Sequence, residues 1–280
     1  LYDQGGNQLM ADFRVGAKWA NVVRYRWQEV KRALNRMNEL ALLKAVRAGV
    51  PAGAATLTEY PDAHTETTTC DGFIQTLTDA TFSTMIAQDG AVVDDTSTYI
   101  FQGFGSTGAL GTTFNRMRKA HFGFDTSAIG GGTISSATLS YKVDQSENSL
   151  TPGGSVTLII SDPGSNTGLV ITDYQNGFNN TTRLIASAVG LGSITADDSV
   201  YTDHAFSATG RGLVVTGGVT NVGWMQEQIV SDDGSNSGAP TSGNGDAFIR
   251  AHAADESGTS EDPKLVVEYT VAFTPKAIMF

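Results

Sequence analysis

Five pairs of adjacent carboxylates are the groups in this 280-residue chain most able to do chemistry: Asp94-Asp95, Asp197-Asp198, Asp232-Asp233, Asp255-Glu256 and Glu261-Asp262. Two carboxylates flanking a sugar bond would suit glycoside hydrolysis, one as acid and one as base or nucleophile. All five fall at expected strand ends or loops, where solvated acids are common, and no local pattern marks a cleft. The four histidines, His64, His121, His204 and His252, are dispersed and form no sequence-local metal pair. Cys70 is the single cysteine, so neither a disulfide framework nor a multi-cysteine zinc site is available within the chain. It reads as an inert thiol: His64 is nearby, but no orienting acid is evident. Phosphate-binding loops, nucleophile elbows and His-Glu-x-x-His helices are lacking. The expectation is a protein that is not an enzyme.

Binding chemistry is better represented. Sugars stack on exposed rings, and Tyr174, Phe178, Tyr201 and Trp224 are the glycan-binding candidates, with filling of the core as the plainer alternative for each. Trp224 reads as part of a strand, while Tyr174 and Phe178 lie in the loop-like "TDYQNGFNN" and make the better exposed pair. Loop carboxylates would also suit calcium, which takes hard oxygen ligands. The stretch "DDGSNSGAPTSGNGD" does not have EF-hand spacing, so a structural calcium stays open and no metal ligand is named.

Three segments must position these groups. Residues 1–50 carry nine Lys or Arg and four Asp or Glu, a net +5, whereas the remainder is −16. A basic head on an acidic body suggests two different neighbours, and the acidic body argues against nucleic acid as partner. Residues 12–48 predict one long helix, stopped by Gly49 and Pro51. A heptad frame aligns Ala20, Val23, Trp27, Val30, Leu34, Met37 and Ala41 along one seam, suited to oligomerisation or docking. Packing of the same stripe against its own domain is the plainer alternative. Residues 51–88 form a Thr-rich extended connector in which short apolar pieces lack sustained periodicity. No apolar run reaches the roughly 20 residues of a membrane span, and no signal peptide is apparent.

From residue 89 to 280, short strands alternate with Gly-, Pro- and Asp-rich turns. Expected strands are 91–101, 116–124, 133–143, 155–161, 184–188, 201–208, 221–229, 246–252 and 264–273. Such spacing predicts a mainly β fold: an antiparallel jelly-roll-like β-sandwich preceded by the helix and connector. In "AHFGFDTSAI" the alternation of Ala120, Phe122 and Phe124 places both rings on a buried face, and Asp125 turns back on the backbone as an Asx turn. Ile134, Ala137, Leu139, Tyr141 and Val143 give a second core face after a small irregularity. The last strand, with Leu265, Val267, Tyr269 and Val271 inward, should pair with an early strand and close the domain.

"VVDDTSTYI" (92–100), "RKAHFGFDTSAIGGGTISSATLSYKV" (118–143), "ITDYQNGFNNTTRLIASAVGLGSI" (171–194), "YTDHAFSATGRGLVVTGGVTNVGWMQEQIVSDD" (201–233) and "AFIRAHAADESGTSEDPKLVVEYT" (247–270) occur in that order. Together they resemble the DNRLRE-type, carbohydrate-binding-module-like β-sandwich as found in bacteriophage structural proteins. The resemblance covers roughly residues 90–272 and none of the helix or connector. It implies a non-catalytic virion component, a head decoration or fibre or a tail appendage. Its partners would be other virion proteins, reached through the N-terminal helix and connector, and a host surface glycan. Homo-oligomerisation follows from the seam, with a trimer favoured by analogy to fibres. The alternative is a secreted or surface bacterial carbohydrate-binding module, extracellular rather than in a virion.

Overall fold

The computed structural model describes residue 36 and residues 53–106, 113–231 and 239–271. The expected helix over 12–48, with its seam from Ala20 to Ala41, lies outside the described residues, Arg36 excepted.

The body is mainly β, a 12-stranded antiparallel sheet curled into a half-barrel. Its strands are β1 (Ala54–Glu59), β2 (Asp71–Thr76), β3 (Val92–Asp94), β4 (Tyr99–Ser106), β5 (Arg116–Asp125) and β6 (Thr133–Thr151), then β7 (Ser155–Ile160), β8 (Val189–Gly190), β9 (Asp197–Ala205), β10 (Val219–Gln226), β11 (Ser242–His252) and β12 (Lys264–Thr270). The main path runs β1-β12-β6-β11-β4-β5-β10-β7-β8, while β9 joins β6, and β2 joins both β5 and β3. Among the described residues four short α-helices decorate it: α1 (Phe82–Ala87), α2 (Asp173–Asn176), α3 (Ala208–Gly212) and α4 (Glu227–Val230). Thr81 caps α1 by accepting the Thr84 amide.

Two strands fork the sheet, and the register shows how. β9 pairs with residues 138–143 of β6, whereas β12 pairs with 133–140 and β11 with 143–151. Each stretch of strand has two edges, so β12 and β11 must share the edge opposite β9. On β5, by the same argument, β2 holds one edge over 117–122 and leaves the other to β4 (116–118) and β10 (120–125). Forking lets one continuous sheet turn back over itself and enclose a core.

That core forms where the sequence alternates. Ala120, Phe122 and Phe124 are fully buried, as are Leu139, Tyr141 and Val143. Trp224 packs between them, its ring 4.7 Å from Tyr141 and 5.7 Å from Phe122. The irregularity before Ala137 is a β-bulge: Ser136 faces Glu268 but Ile134 faces Tyr269, leaving Ser135 unmatched. The Asx turn is present too, the Ser127 amide donating to Asp125 Oδ1 at 3.0 Å. β12 lies between β6 and the early strand β1, with Leu265 and Val267 buried. Val271, expected inward, is exposed just past the last paired residue.

Three expectations change. The sheet begins at β1 rather than at residue 89, because β1 pairs with β12 and β2 with β5; the segment expected as a connector supplies two strands and a helix. Residues 184–188 form no strand: Arg183 makes a single bridge to Ile159 before the chain turns away. β10 stops at Gln226 and continues as α4.

Candidate functional site: a groove and an adjoining acidic cluster

The outer face of β6, β9 and β12 forms a shallow concave surface of about 410 Å³. Alternation supplies its floor, since Ala137, Leu139 and Tyr141 point inward and Ser136, Thr138 and Ser140 outward. Tyr201 and Asp203 flank it from β9, and Lys264, Val266 and Glu268 from β12. Lys264 Nζ stands 3.7 Å from the centroid of the Tyr201 ring, a cation–π contact. Ser136 donates its hydroxyl to Glu268 Oε2 at 2.9 Å. The surface therefore offers hydroxyls, two carboxylates, an amine and one ring, all suited to a polyhydroxylated ligand.

Asp203 and Glu268 are the two carboxylates of this surface. Asp203 lies opposite Ser140 and Glu268 opposite Ser136, on opposite edges of β6. Four residues of strand separate their backbone positions by roughly 13 Å along β6.

Of the four ring candidates, Tyr201 alone lines this surface. Tyr174 and Trp224 are fully buried and Phe178 nearly so, which corrects their reading as sugar platforms. Trp224 fills the core. Tyr174 and Phe178 sit in a polar stretch that folds back onto β5: Asp173, itself buried, accepts the Gly164 and Val170 amides and turns the loop inward.

Next to the groove the chain gathers acids. Two of the five pairs, Asp255-Glu256 and Glu261-Asp262, meet in the loop between β11 and β12. Glu256 Oε2 and Glu261 Oε2 both approach the buried His252 Nδ1, the second at 3.1 Å. One ligand atom from each of these three residues lies within 4.8 Å of the others. Asp262 is 4% exposed, yet its Oδ1 has no hydrogen-bond partner. Burial, with the charges of Glu256, Asp255 and Glu261, pushes its carboxyl up to about 7. From the other end of the body come Asp71 and Glu66. Asp71 is held by the Ala254 amide at 2.8 Å, and burial, reinforced by Asp255, Asp262 and Glu66, raises its carboxyl well above the usual range. Among the described residues no Lys or Arg forms an ion pair with these acids.

A cluster of this sign, with an orphaned buried carboxylate oxygen, fits a divalent cation. One imidazole with two carboxylates suits Mn²⁺ or Zn²⁺, and the neighbouring all-oxygen groups suit Ca²⁺. The sequence showed the two pairs but not their convergence with Asp71, which depends on contacts more than 180 residues apart. The other pairs do local work or lie elsewhere. Asp95 accepts the Leu169 amide, Asp197 accepts the Ser199 amide, and Asp232-Asp233 lie outside the described residues. Cys70 is fully buried with its thiol pushed up to about 12 by burial, as expected of an inert cysteine. No described helix is long and apolar enough to cross a membrane.

A scan against protein-family models finds no match, and a search of curated proteins finds none.

Proposed function

We propose that this chain is a non-enzymatic structural protein of a bacteriophage virion, a head decoration or fibre or a tail appendage. Its basic N-terminal region anchors it, and its acidic jelly-roll-like β-sandwich is displayed outward. The observation that carries the reading is the groove on β6, β9 and β12: an outward concave surface lined by hydroxyls, one ring, an amine and two carboxylates on opposite edges of β6. In a displayed body it would meet a host surface glycan. The charge split between residues 1–50 and the rest supports two separate neighbours. The motif order from residue 92 to 270 supports the kind of sandwich.

The second reading, a secreted or surface bacterial carbohydrate-binding module, is favoured by Tyr201 in the same groove. Mass in solution separates the two. The virion reading expects the full chain to be a defined oligomer, trimer favoured, and a chain starting at Gly53 to be a monomer. A monomeric full chain with glycan affinity undiminished by that truncation would replace it with the second reading.

A further inference from the structure

The face of β5 opposite Ala120, Phe122 and Phe124 carries Met117, Lys119 and His121, all buried. α1 and the stretch containing α2 cover it. Lys119 is 3% exposed, and its Nζ donates to the Tyr174 carbonyl at 2.8 Å while lying 4.0 Å from the centroid of that residue's ring. An ammonium has three donors, so this contact leaves two unaccounted for. Among the described residues no carboxylate pairs with it. Burial alone lowers its pKa to about 7. A buried cation without a counter-ion is costly to retain.

Lys119 also lines a cavity of about 180 Å³. Phe178, Met225 and Ile229 supply apolar walls, and the exposed Asn179 and Thr181 mark its mouth. A cavity of roughly 150 Å³ with apolar walls is enough to hold benzene. One amine against apolar walls matches one negative charge; a dianion would need a second cation. A carbonyl substrate would need a proton donor to release water on forming an imine, and no acid lines the cavity.

We propose that this cavity binds a small monocarboxylate with an apolar body about the size of a benzene ring. The carboxylate sits on the Lys119 amine, and the body lies against Phe178, Met225 and Ile229. The site is distinct from the groove on β6, β9 and β12 and does not rest on that groove's role.

Calorimetric titration of the full chain with benzoate and with benzamide, its neutral counterpart of equal size, tests this. Benzoate is expected to bind at least tenfold more tightly. Equal affinities, or no binding of either, would overturn the proposal without any variant. Lys119→Met should erase the tenfold preference. Ile229→Trp, which fills the cavity and leaves the amine in place, should abolish benzoate binding; unchanged binding to that variant would place benzoate elsewhere and also overturn the proposal.

Discussion

Tyr201 donates its hydroxyl toward two carbonyls, those of Ser260 at 3.1 Å and Asp262 at 3.2 Å. The one ring in the outer groove is thereby tied to the loop that carries the acidic cluster. Anything that orders that loop also orders the ring.

Divalent cations should therefore stabilise the body. Adding Ca²⁺, Mn²⁺ or Zn²⁺ to chelated protein should raise its melting temperature, with about 2.7 kcal/mol gained at a hundredfold excess over Kd. Glu256→Gln combined with Glu261→Gln should remove the response of the ion that uses His252. A melting temperature indifferent to all three ions would leave the cluster as self-repelling acids with no ligand.

Acid should stabilise the chelated protein, and the sign follows from Asp71. Its folded carboxyl holds a proton at pH values where the unfolded one has lost it, so the native state binds more protons and stability falls as pH rises above about 4. Asp71→Asn, which still accepts the Ala254 amide, should flatten that fall. Lys119 acts in the opposite sense in another window. Its folded pKa near 7 lies below the ordinary 10.5, so stability rises between those values by roughly 5 kcal/mol at most. Lys119→Met should remove the alkaline rise. Urea midpoints from pH 4 to 10.5 read both effects.

Trp224 and Tyr201 should separate stability from recognition. Trp224→Ala empties the space between Phe122 and Tyr141 and should cost about 3–5 kcal/mol. Tyr201→Ala, at a partly exposed position, should cost far less while weakening any glycan bound in the groove. Glycan-array signal that survives Tyr201→Ala would locate sugar binding outside the groove.

How far the fold could be read depended on how regularly burial alternates. β5, the first half of β6 and β12 each present one face to the core and one to solvent or cover, so period-two patterns such as Ala120-Phe122-Phe124 were legible. β2 reads Asp-Gly-Phe-Ile-Gln-Thr and is buried on both faces, which removes the alternation that identifies a strand. β1 fails for the opposite reason, being an edge strand with no buried residue. Tyr174 and Phe178 misled because their neighbours are polar; the inward turn comes from Asp173 bonding backbone amides, a use of an acid that composition does not reveal. The carboxylate pairs were visible, but bringing residues 66–71 to residues 252–262 takes the whole sheet.

β1 and β12 are antiparallel neighbours, and the Val271 amide donates to the Gly53 carbonyl at 3.2 Å. The two ends of the body thus leave it side by side. Tension applied between them would load the ladder one rung at a time, like a zipper, instead of shearing all its rungs together. The body should yield at low force by peeling β1, while the forked sheet behind it stays intact as a mechanical stop.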